Sequence, residues 1–208
     1  FLDEFTQAAR EKQTVIQRVF DEGRIGDWRL AGHPKADPNC ELGLVFIVLA
    51  GNRQKDRANA HGMGSQTGNR LTHVTFEPDL NDWFNHAAAK HFDPTVTALV
   101  KYHPEYLHKL DVAQKTEHPT GSTPRSLERL SDAVKRSPPT DLEAIIYSGI
   151  VGEECARAYL ALVTAARQIN IEDALSDPEN AEIPSEVGHQ FAAASLLIRL
   201  ANEDNFAN

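Results

Sequence analysis

Six consecutive apolar residues, Leu44-Val45-Phe46-Ile47-Val48-Leu49, constrain this chain more than any other feature. The run is too short for a typical helix, and its β-branched content favours a strand. Without polar alternation, that strand is expected to lie centrally in a sheet and to be covered on both faces. Around it, residues 8–21 carry Val15, Ile16, Val19 and Phe20 on one stripe and Arg10, Glu11, Lys12, Gln17 and Arg18 elsewhere. That spacing predicts an amphipathic helix, stopped near Gly23. Arg24 to Leu30 is short and alternating around Gly26-Asp27, which predicts a small hairpin. Ala31 to Glu41 carries a glycine, two prolines and an asparagine and reads as a loop, and Leu71 to Phe76 gives a shorter, weaker strand.

After Glu77-Pro78 no strong strand signal recurs. Asp79 is placed to cap a helix containing Leu80, Trp83, Phe84 and Ala87. Asp93-Pro94 pairs an N-cap with a favoured first helical residue ahead of Val96, Leu99 and Val100. Further helical patterns lie near 125–136, 152–168 and 186–201, the last with Val187, Phe191, Ala194, Ile198 and Ala201 at three-four spacing. The chain therefore divides near Pro78: residues 1–78 are the end of an α/β domain, and residues 79–208 are all-helical.

At 208 residues the chain can bury a core as one domain or two small ones. Its formal charge of −9 repels nucleic acid and anionic membranes, which argues against DNA binding as the main activity. Cys40 and Cys155 are far apart and share no C-x-x-C spacing, so they define neither a disulfide framework nor a zinc site and fit a reducing cytoplasm. No apolar run approaches the ~18–20 residues needed to cross a bilayer. His86/His91 and His103/His108 are each five apart, unlike the i, i+4 pair of a helical zinc site, and read as scattered surface histidines. Cys155 reads as a small core residue. Trp28, on the hairpin, is open to two roles: contact with a partner, or packing against the sheet.

Four short motifs stand in a telling order. Asp3-Glu4 ends an apolar start, and adjacent carboxylates at a strand's C-terminal edge suit a metal-bound phosphate and its attacking water. Asn52 follows the best strand candidate, where its amide can hydrogen-bond both a terminal phosphate oxygen and that water. Arg70 closes a short segment ahead of the Leu71–Phe76 strand, with Arg53 and Arg57 as rivals in the same loop region. Arg125 comes in the first turn of a helix opened by Thr123-Pro124, so its position is well defined.

Together these resemble the Walker B, sensor 1, arginine finger and sensor 2 of an AAA+ ATPase, most like the MoxR-like branch, over about residues 1 to 135. The resemblance implies the C-terminal part of a P-loop NTPase: an αβα sandwich followed by a helical lid. It implies ATP with Mg²⁺, Asp3 on the metal, Glu4 orienting water, Asn52 sensing the terminal phosphate, Arg70 acting in trans and Arg125 acting from the lid. A hexameric homo-oligomeric ring is implied too, remodelling a protein client, with partners carrying a von Willebrand A-type metal-ion-adhesion domain among the candidates. No G-x-x-x-x-G-K-[ST] occurs in the chain, and Gly62, Gly64 and Gly68 lack the lysine and the strand-to-helix context. The phosphate-binding loop is therefore expected upstream of residue 1, and these residues alone are expected to bind ATP weakly or not at all. The rival class is a non-catalytic adaptor module that kept the ATPase scaffold. A metal-dependent hydrolase is a third class, for which no spaced ligand set is found.

Overall fold

In a computed structural model the chain is described at residues 1–41, 43–52, 63–110, 121–167, 177, 179–180 and 185–200. The chain divides into two compact units, Phe1–Thr75 and Phe76–Asn208.

In the first unit, a 3₁₀ turn at Phe5–Gln7 precedes α1 (Arg10–Glu22). The apolar face of α1 turns inward through Val19, and Phe20 lies 6.2 Å, ring to ring, from the buried Phe5. Val15, on the same expected stripe, stays largely exposed. The helix stops at Gly23, whose left-handed φ of 65° lets its N–H reach back to the Val19 carbonyl. His33 then secures the helix end. Its Nδ1 accepts from the Lys35 N–H at 3.3 Å, so Nε2 carries the proton and donates to the Phe20 carbonyl at 3.0 Å.

The expected hairpin forms. Strands β1 (Arg24–Ile25) and β2 (Trp28–Arg29) pair antiparallel, with Gly26 at positive φ in the first turn position. Ile25 and Trp28 face each other across the ribbon and both are exposed, so Trp28 does not pack against a sheet.

The segment expected to be a covered central strand behaves differently. Residues 43–50 form no ladder beyond one parallel bridge, Leu2 to Leu49. Leu44, Phe46 and Val48 are 64%, 86% and 53% exposed. Their period-two spacing puts them on one face, and no described residue covers it. The stretch before Pro78 also lacks a ladder, leaving Val74 and Phe76 exposed. A four-residue helix, α2 (Ser65–Gly68), lies between. Among the described residues, strand pairing thus amounts to two two-stranded antiparallel ribbons and the one parallel bridge. Those pairings do not by themselves make an αβα sandwich.

The second unit is a helical bundle: α3 (Leu80–Ala89), α4 (Pro94–Tyr102), α5 (Pro124–Lys135), α6 (Thr140–Val151), α7 (Glu153–Arg167) and α8 (Val187–Leu200). A short ribbon of β3 (Lys109–Leu110) and β4 (Gly121–Ser122) precedes α5. Three helices start on caps legible in the sequence. Asp79 accepts from the N–H groups of Asn81 and Asp82, Asp93 from that of Thr95, and Thr123 forms a capping box with Ser126. Helix α4 is central, with Val96, Leu99 and Val100 fully buried as it packs on α5, α7 and α8.

A polar cluster inside this bundle fixes three helices together. The Asp93 N–H donates to Ser131 Oγ on α5 at 2.8 Å. Thr95 Oγ1 donates to the Asp93 carboxylate at 2.6 Å, which leaves the Tyr159 hydroxyl of α7 to donate to Thr95 at 2.8 Å. Across α6 and α7, Arg167 grips Glu143 through two bonds of 2.7 and 2.8 Å.

Two features of this unit differ from expectation. Helix α6 is absent from the sequence reading. In α8 the three-four stripe faces outward, with Val187, Phe191, Ala194 and Ile198 exposed, while Gly188, Ser195 and Leu196 pack inward. That helix is apolar on most sides, so its periodicity alone does not select the buried one.

Candidate functional site

The parallel bridge sets the geometry of the acidic pair. Leu2 N–H donates to the Val48 carbonyl, Ala50 N–H to Leu2, and Phe5 N–H to Ala50, each at 2.9 Å. Thr6 Oγ1 then donates to the Asn52 carbonyl at 3.0 Å. Asp3 and Glu4 are therefore bracketed by bonds to residues 48–50, and the two segments end side by side with Asn52 at the same end. All three side chains are exposed and available to a ligand.

Two local details shape this end. Glu4 adopts a left-handed backbone (φ 55°, ψ 26°) that a non-glycine residue enters at a cost, and such outliers cluster at functional positions. Its N–H donates to Asp3 Oδ1 at 2.8 Å, which ties one oxygen of the carboxylate and leaves the other without a partner among the described residues. Gly51 lies against Thr6 so closely that a Cβ there would sit 2.5 Å from Thr6 Oγ1.

Arg70 lies in the same unit but touches none of these three residues. Its Nε donates to Asp21 Oδ1 on α1 at 2.8 Å, and its Nη1 donates to the Gln66 carbonyl. The rivals Arg53 and Arg57 lie outside the described residues. Arg125 belongs to the second unit, at the exposed first turn of α5, with no hydrogen bond or ion pair to the described residues. Neither Thr6 nor Asp21 carries a signal in the sequence, since each acts on a residue more than forty positions away.

Elsewhere the chemistry is structural. Cys155 is buried, and desolvation, only partly offset by the Ser122 hydroxyl, pushes its thiol up to about 12, so it is an inert core residue. Burial also raises the Tyr106 phenol, and Glu154 beside it adds to the effect. Among the described residues no group of three or more His, Cys, Asp or Glu side chains is placed to hold a metal ion by itself. Among them, too, no helix is long and apolar enough to cross a membrane. Comparison with family models, with curated proteins and with solved structures gave no match.

Proposed function

We propose that this chain carries the Mg²⁺-ATP hydrolysing core, from the Walker B acids onward, of a ring-forming MoxR-like AAA+ ATPase that remodels a protein partner. One observation carries the proposal: the parallel pairing of Leu2 with Leu49, which leaves Asp3-Glu4 and Asn52 at a common end. In open parallel sheets ligands lie outside the carboxyl ends of the strands, and a single parallel bridge is the element present here.

The donor set fits magnesium. The ion takes oxygen ligands, keeps several waters, and is usually held by one or two carboxylates together with substrate phosphates. An exposed Asp3 with one carboxylate oxygen unpartnered among the described residues matches that need, and a complete protein cage is not required. Bound there, the ion supplies charge neutralisation of the phosphates. Glu4 would accept a hydrogen bond from the attacking water and align it. The Asn52 amide would donate to a terminal phosphate oxygen. Arg70 would act on the nucleotide of a neighbouring subunit, and Arg125 from the helical unit, where a cation is suited to charge on the transferring group. The phosphate-binding loop needed for tight ATP binding lies outside residues 1–208 on this account.

In the full-length protein, Glu4→Gln is expected to slow hydrolysis by at least about 100-fold, the lower end for loss of a positioned base, with nucleotide binding retained. Unchanged turnover would remove Glu4 from the chemistry. The absence of a G-x-x-x-x-G-K-[ST] motif from these residues favours one second reading, a non-catalytic adaptor on the same scaffold. Micromolar Mg²⁺-ATP binding by the full-length protein excludes the adaptor, and no binding excludes the enzyme.

A further inference from the structure

We propose that Asp21 is a positioning residue for Arg70, holding its guanidinium ready for a phosphoryl group bound by an adjacent subunit. The proposal rests on the reading of Arg70 as the arginine supplied in trans. Arg70 follows the single turn of α2, and its own backbone is fixed by a bond from its N–H to the Thr67 carbonyl. The guanidinium is then held on both flanks, Nε by Asp21 and Nη1 by the Gln66 carbonyl. Nη2 is left without a partner among the described residues.

The anchor is itself rigid. Asp21 sits in the last turn of α1, where the Gly23 N–H bonds Val19 and the His33 ring bonds Phe20. Both members of the pair remain partly open, at 41% and 37% exposure for Arg70 and Asp21. A phosphate can therefore approach the outer Nη2 end, unpartnered among the described residues, without first breaking a buried ion pair.

A free arginine must lose much rotamer entropy to meet charge that develops only in the transition state, and prior ordering removes that cost. Because such help acts in the transition state, it is expected in kcat rather than KM.

The test compares Asp21→Ala, Arg70→Ala and the double variant in the full-length assembled protein. Folding and assembly are checked by thermal melting and by size in solution. Asp21→Ala is expected to lower kcat about 10-fold with KM unchanged, to add no further loss in the Arg70→Ala background, and to be largely rescued by Asp21→Glu. An equal loss in both backgrounds would overturn the proposal, because the effect would then bypass Arg70. A rise in kcat would also overturn it, by marking Asp21 as a competitor for the guanidinium. If Arg70→Ala is impaired and Asp21→Ala is silent, the positioning role alone fails. If Arg70→Ala hydrolyses normally, the trans-acting arginine fails and the positioning role with it. Should Asp21→Ala not fold, the isosteric Asp21→Asn is read against the same outcomes.

Discussion

Gly51→Ala tests the junction on which the candidate site depends. The new Cβ would lie 2.5 Å from Thr6 Oγ1, 2.8 Å from Thr6 Cγ2 and 3.0 Å from the Thr6 backbone nitrogen. Rotating Thr6 about χ1 cannot relieve all three, since both branched atoms and the main chain are involved. Overpacking of this kind costs about 1–3 kcal/mol, and loss of the Thr6 hydroxyl bond to Asn52 adds about 0.5–1.5 kcal/mol. The sum, about 1.5–4.5 kcal/mol, corresponds to roughly 10- to 2,000-fold faster exchange of the Phe5 and Ala50 amides by local opening. Amide hydrogen exchange followed by NMR reads those two groups directly. Thr6→Ala in the same chain removes both side-chain clashes, so the double variant should be less perturbed than the sum of the singles by about 1 kcal/mol or more. Additive effects, or unchanged exchange in Gly51→Ala, would refute the close apposition of Thr6 and Gly51.

Other outcomes follow from the helical unit. Arg167→Ala leaves the Glu143 carboxylate, whose side chain is only 6% exposed, without its partner. Because Arg167 is itself 44% exposed, the expected loss is about 2 kcal/mol, below the full cost of a broken buried pair. Urea unfolding measures it, and adding Glu143→Gln should recover part. Leu99→Ala empties a fully buried position on α4 and is expected to cost about 3 kcal/mol, read as a fall in the urea midpoint. Burial raises the Cys155 thiol from the ordinary 9.0 to about 12, so the unfolded chain gives up that proton first. Stability from this group is therefore complete below pH 9.0 and falls at about 1.4 kcal/mol per pH unit above it, up to about pH 12. Cys155→Ala should flatten that part of the pH profile, and in the native protein Cys155 should resist alkylation while the half-buried Cys40 reacts.

What could be read from the sequence was local. Asp79, Asp93-Pro94 and Thr123-Pro124 mark helix starts because the cap bond joins a side chain to backbone two or three residues on. Gly26-Asp27 marks the hairpin by the same local logic. Helix α6 was not legible because Pro138-Pro139 precedes it, Gly149 interrupts it, and Leu142, Ile145, Ile146, Ile150 and Val151 leave no clean polar face. For Leu44 to Leu49 the apolar run shows extended backbone but not how many neighbours it finds, and only the segment ending at Asp3-Glu4 pairs with it among the described residues. The candidate residues divide the same way. Asp3, Glu4, Asn52, Arg70 and Arg125 stand out by type and order, whereas Thr6 and Asp21 are defined by bonds spanning 46 and 49 positions. No local pattern encodes those.

Manganese in place of magnesium gives the most direct test of the proposed nucleotide site, because its unpaired electrons broaden nearby amide signals. With Mn²⁺ and ATP added to the full-length protein, the amides of Asp3, Glu4 and Asn52 are expected to broaden first, and Asp3→Ala should abolish the effect. Broadening centred on another part of the chain, or undiminished in Asp3→Ala, would contradict a nucleotide-bound metal held where these two segments end.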